Sequence, residues 1–224
     1  MDFVSYPDRD LMMLQIADKI ASELAMMLHH EDRVSLAVPG GTTPGPIFDD
    51  LCAADIDWAR VDVLLTDERW VPETSDRSNT RLLKQRLLTG KAAAARLIPL
   101  YADAPTPEEK LAELSATVDG ILPLSVCLLG MGADMHTASL FPGADLLADG
   151  LASDAPALLP MRAPTAPEPR ITLSARVINS AIEKHIVITG AEKKEALERA
   201  KTLHDPMQAP VSAIYSGATI HWAE

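Results

Sequence analysis

Short apolar runs of four to six residues, separated by longer stretches of helical period, are the feature that most narrows what this chain can fold into. Val34 to Val38 is one such run, Val61 to Thr66 a second, Leu97 to Tyr101 a third, Ser125 to Leu129 a fourth and His185 to Thr189 a later one. Runs that are largely apolar, rather than alternating, suit parallel strands covered on both faces. Between them, residues 78–89, 107–119 and 191–203 mix charge and apolar residues as surface helices do. Ahead of the first run, Met13, Ile16, Ile20, Leu24 and Met27 recur at spacings of three and four, which predicts a helix within residues 10–30.

Strand alternating with helix predicts an α/β fold: a mostly parallel, Rossmann-like sheet flanked by helices on both faces, with residues 1–224 as a single domain. The Pro-rich stretch 156–169 is the one candidate linker or lid, and apolar segments resume after it in the same style. In such a sheet, ligands bind beyond the carboxyl ends of the strands. The loops after Val38, Thr66, Leu129 and Thr189 are therefore expected to converge on one site.

Charge narrows the partners. With 20 Lys plus Arg against 32 Asp plus Glu, the formal net charge is −12, which repels nucleic-acid backbones and anionic membranes. No apolar run reaches 18 residues, and the opening MDFVSYPDRD does not read as a signal peptide, so neither membrane nor nucleic acid is expected as a partner and the location expected is cytoplasmic. Cys52 and Cys127 stand alone in apolar surroundings and read as two buried thiols, with no zinc-site spacing.

Four loops could carry chemistry. Gly40-Gly41-Thr42-Thr43 lies between a strand and a helix start, where free N–H groups favour an anion. Thr43 before Pro44 reads as an N-cap with Pro at the first helical position, and an ordinary glycine turn is the plainer alternative. Asp67-Glu68-Arg69-Trp70 places two carboxylates and a guanidinium at the sheet edge, as either a salt-bridged loop or an anion site. Gly130-Met131-Gly132-Ala133-Asp134-Met135-His136 begins like a dinucleotide fingerprint, but Met135 stands where its third glycine would be. A short helix starting near Thr137 would hold the His136 imidazole at a positive dipole end. Arg170 and Lys193 add cations at the same edge, or are solvated surface charges, while His29, His30, His185, His204 and His221 read as structural.

The chain resembles the 6-phosphogluconolactonase family. The resemblance rests on Pro39 to Pro44, Thr66-Asp67-Glu68-Arg69-Trp70-Val71-Pro72, Ser78-Asn79, Gly130 to Pro142, Pro169 to Leu173 and Gly190-Ala191-Glu192-Lys193, in order along most of the sequence. Where the family's signature has glycine between aspartate and histidine, this chain has Met135. The resemblance implies metal-free, cofactor-free hydrolysis of 6-phosphoglucono-δ-lactone to 6-phosphogluconate in the pentose phosphate pathway, by a monomer or weak dimer. It implies His136 as general base, with Asp67 or Asp134 orienting it or binding ring hydroxyls, and N–H groups around Gly132 as oxyanion donors. Gly41, Thr42, Arg69, Arg170 and Lys193 are the residues it assigns to the sugar phosphate. Two alternatives remain. A glucosamine-6-phosphate deaminase-like isomerase would carry glutamate five residues after the histidine, where this chain has Phe141, and a non-catalytic sugar-phosphate sensor would keep only the anion cradle.

Overall fold

The computed structural model describes residues 1–224. The elements run β1 (Asp2–Ser5), α1 (Arg9–Met27), β2 (Val34–Val38), α2 (Gly45–Leu51), β3 (Val61–Leu65), β4 (Asp67–Arg69), α3 (Asn79–Arg86), β5 (Arg96–Leu97), α4 (Leu111–Asp119), β6 (Val126–Gly130), α5 (Leu147–Leu151), β7 (Leu158–Met161), β8 (Arg170–Leu173), α6 (Ala175–Asn179), β9 (Glu183–Thr189), α7 (Gly190–Leu203) and β10 (Thr219–Ala223). Seven strands form an entirely parallel sheet in the order β1-β10-β9-β6-β2-β3-β5. Every residue of β2 and of β3 is buried, which is why those strands read as largely apolar runs. Helices α1 and α2 pack together on one face. Right-handed crossovers that run in the opposite direction, from β9 to β10, place α7 on the other.

A second, antiparallel sheet of three strands, β4-β8-β7, sits at the carboxyl edge of the first. Its Leu158, Met161, Ile171 and Leu173 belong to the same 57-residue apolar cluster as the strands and helices of the large sheet, so the two sheets share one core. Asp62, buried in β3, is answered by Arg33 and by Arg96 of β5, whose guanidinium Nε and Nη2 donate to it at 2.7 and 2.6 Å. Those bonds outweigh the effect of burial and hold its carboxyl below the usual range. No helix is long and apolar enough to cross a membrane.

Several expectations are corrected. Residues 156–169 are not simply a linker or lid, because Leu158–Met161 forms buried β7 and pairs with β8. The third run is reduced to the two residues of β5. Pro44, not Thr43, is the N-cap of α2, and no side chain caps it. No helix begins at Thr137, where a Thr137–Leu140 bridge closes a tight turn with Ala138 at φ 49°, so no helix dipole acts on His136 there. Strands β1 and β10 gave no clear signal: β1 is four exposed residues at the sheet edge, and β10 interrupts its apolar residues with His221.

Candidate active site

The winding reverses beside β2. From β2 the chain proceeds through β3 to β5 on one side, then returns to lay β6 on the other. The carboxyl ends of β2 and β6 therefore flank a topological switch point, where an open parallel sheet leaves a crevice. A cleft of ≈ 210 Å³ lies there, lined by Gly40, Gly41 and Thr43 after β2, Asp67 and Arg69 of β4, Gly130, Gly132 and His136 after β6, Arg170 of β8 and Lys193 of α7.

His136 is the one histidine in the cleft lining. Its Nδ1 donates to Oδ1 of Asp134 at 2.5 Å, and since a carboxylate only accepts, the neutral ring has its proton on Nδ1 and its lone pair on Nε2. Nε2 has no hydrogen-bond partner in the protein. Residues two apart face each other only on an irregular backbone, and Met135 supplies it with a left-handed φ of 66°. Gly132 makes room: a Cβ there would collide with Nδ1 and Cε1 of His136 and with Oδ1 of Asp134. Burial works to raise the Asp134 carboxyl, but the hydrogen bond from His136, joined by its charge when the ring is protonated, outweighs it and holds it low.

The opposite wall is cationic. Arg69 and Arg170 are directly paired across β4 and β8, so two guanidiniums occupy facing positions of one ladder. Like charges so placed repel. The Arg170 side chain is only 11% exposed, makes no hydrogen bond, and has its nearest carboxylate, Asp67, at 3.6 Å. The Nε atoms of both arginines are buried without partners, a state that costs roughly 1–3 kcal/mol per donor. Burial lowers the Arg170 pKa, with Asp67 opposing and Arg69 reinforcing the shift. Lys193 is half-buried without an ion pair, and burial lowers its pKa too. A folded chain retains such an unpaired group most readily where an anionic ligand completes it.

Two residues without assigned roles frame this wall. Glu68, fully buried, accepts from the N–H groups of Arg69, Asn79 and Thr80 at 2.7–2.9 Å and from the hydroxyls of Ser78 and Thr80, which ties the start of α3 to β4. Asn79 thereby lies in the cleft, its amide donating to the Asp67 carbonyl and its side chain packed so close to Gly40 that no Cβ fits there. The sequence signal was the Ser78-Asn79 dipeptide, one of the pieces on which the family resemblance rests, and in the structure Ser78 is the N-cap of α3.

The remaining placements are mixed. Gly41, Arg69, Gly132, Arg170, Lys193 and Asp67 all line the cleft, whereas Thr42 is exposed outside it and Thr43 takes its place. Asp67 does not reach His136; its Oδ2 accepts from Ser139 Oγ at 2.5 Å, so Asp134 alone orients the imidazole. The Gly132 N–H is already given to the His136 carbonyl at 3.0 Å, which removes it as an oxyanion donor. His185 and His221 lie in the core, in a chain running from the Tyr6 hydroxyl through His221 and His185 to Glu23.

Residues 7–222 match the family described as glucosamine-6-phosphate isomerases/6-phosphogluconolactonase. The chain belongs to that family. It is 39% identical over 214 residues to a 6-phosphogluconolactonase of Rhizobium meliloti, covering 93% of this chain and 92% of that one. It is 40% identical over 226 residues to one of Mesorhizobium japonicum, covering 98% and 94%. Among solved structures, a 6-phosphogluconolactonase from Shewanella baltica superposes with a TM-score of 0.96 at 31% identity, over 100% of this chain and 98% of that one. The family's description joins two chemistries, so membership fixes the fold but not the reaction.

Proposed function

We propose that this chain hydrolyses 6-phosphoglucono-δ-lactone to 6-phosphogluconate, the activity carried in the names of its relatives, with His136 as the general base. The observation that carries the reading is one imidazole, hydrogen-bonded through Nδ1 to Asp134, across a single cleft from two guanidiniums whose buried Nε atoms have no partner. Arg69 and Arg170, with Lys193 and the Gly40-Gly41 turn, take the phosphate and sugar. Nε2 of His136 removes a proton from water as the water oxygen bonds to the lactone carbonyl carbon. The imidazolium, stabilised by Asp134, then returns that proton to the ring oxygen as the ring C–O bond breaks. General-base assistance of this kind contributes roughly 10² to 10⁴ in rate. Residues 1–224 act as one domain, cytoplasmic and monomeric or weakly dimeric, on a small sugar phosphate too highly charged to cross a bilayer core.

The isomerase reading lacks the glutamate expected five residues after the histidine, since that position is Phe141, whose ring packs against His136 at 4.3 Å between centroids. Initial rates of lactone opening, corrected for spontaneous hydrolysis, test the proposal. Catalysed opening without ammonia release from glucosamine 6-phosphate is expected. Ammonia release would select the isomerase, and phosphogluconate binding with no rate above background would select a sensor.

A further inference from the structure

The Phe141 ring is in contact with both halves of the cleft. It is 7% exposed, lies at 31° to the His136 imidazole with centroids 4.3 Å apart, and has the Arg170 guanidinium carbon 5.6 Å from its centroid. Its backbone carbonyl accepts from Ala144 N–H at 3.1 Å, and the Thr137–Leu140 bridge closes the turn just before it, so the ring is carried on a fixed turn. Gly132 meets the same imidazole so closely that no side chain fits there. The imidazole is thus restrained by three contacts: Asp134 at Nδ1, the Gly132 backbone and the Phe141 ring.

We infer that Phe141 is a positioning residue for the lactonase reaction, holding the His136 ring with Nε2 toward the substrate and presenting its π-face to the imidazolium that forms when the base takes its proton. This rests on the reading of His136 as the base. A neutral imidazole gains only packing from the ring, while the imidazolium also gains the attraction between a cation and the ring quadrupole. The difference arises as the proton is transferred and so acts on kcat. The charged groups around the imidazole are Asp134, Asp67, Lys193, Arg69 and Arg170, of which Arg170 also lies over the Phe141 ring, so the split between kcat and KM separates loss of the ring from the imidazole and loss of it from the guanidinium.

The test compares wild type, Phe141→Leu, Phe141→Tyr and His136→Ala on 6-phosphoglucono-δ-lactone, together with the NMR signals of the His136 ring protons. Phe141→Leu is expected to lower kcat about tenfold, the scale of a partly desolvated cation–π contact, with KM changed less than about threefold. Its imidazole signals lose the ring-current displacement seen in the wild type. Phe141→Tyr keeps the ring and recovers most of kcat. Full kcat in Phe141→Leu, or a loss that Phe141→Tyr does not recover while the imidazole signals stay unmoved, overturns the inference. Absence of lactone turnover in the wild type, or full turnover in His136→Ala, would instead overturn the reading on which it rests.

Discussion

At the scale of single residues, the site depends on backbone geometry that side-chain chemistry alone does not announce. Met135 holds a left-handed φ of 66°, which brings Asp134 and His136 face to face, and its own carbonyl accepts from Val211 N–H at 3.1 Å. An L-residue with a Cβ pays about 1 kcal/mol for that conformation and glycine does not. Met135→Gly is therefore expected to be more stable than Met135→Ala by about 1 kcal/mol in denaturant unfolding, the reverse of the order found in helices. A glycine variant less stable than the alanine variant would mean that the turn carries no strain. The Asp134-x-His136 spacing was legible in the sequence, and the family's glycine at position 135 hinted at a left-handed backbone there; that a methionine adopts it was not legible, because a side chain disfavours positive φ.

At the scale of elements, the small antiparallel sheet is what assembles the cationic wall. Strand β4 continues the chain after β3, and β8 returns from more than a hundred residues away to pair Arg69 with Arg170. Two like charges on facing positions oppose the pairing, so removing one is expected to weaken ligand binding without weakening the fold. Arg170→Met, which keeps an unbranched apolar stem and removes the guanidinium, is predicted to raise KM roughly tenfold to a hundredfold, the value of a charged hydrogen bond, and to leave the melting temperature unchanged or higher. An unchanged KM would assign Arg170 to packing.

The parallel sheet was readable because β2, β3 and β6 are buried on both faces and so appear as largely apolar runs, interrupted only by Ser35 and Asp62. The antiparallel sheet was not. Asp67-Glu68-Arg69 has no strand-like composition, its pairing partner is remote, and β7 lies in a segment rich in proline and alanine. The four convergent loops followed from the fold class alone, while the exchange of Thr42 for Thr43 depended on which way a tight turn faces.

For the whole molecule, a buried chain of hydrogen bonds links α1 to the sheet far from the cleft. The Tyr6 hydroxyl lies 2.7 Å from Nδ1 of His221, Nε2 of His221 lies 3.1 Å from Nδ1 of His185, and Nε2 of His185 lies 2.8 Å from a Glu23 carboxyl oxygen. Burial, with the nearby His185 and Lys19, pushes the His221 pKa down to about 3. The unfolded chain binds a proton at this imidazole below about pH 6.5, where the folded chain does not. Stability must then fall on acidification from about pH 6.5 toward pH 3, with a slope approaching 1.4 kcal/mol per pH unit from this group. Urea unfolding at several pH values measures it, and His221→Gln should flatten the dependence; a wild-type stability flat across that interval would contradict a neutral buried His221. The core and the cleft thus use histidine for different ends: His221 is kept neutral by burial, while His136 faces the ligand with its lone pair on Nε2.

The central claim is that this Nε2 lone pair draws the proton from water during lactone opening. The most direct test is the corrected initial rate of 6-phosphoglucono-δ-lactone hydrolysis by His136→Ala, alongside its affinity for 6-phosphogluconate. The account predicts kcat lower by roughly 10² to 10⁴ with affinity nearly unchanged; turnover equal to the wild type would contradict it.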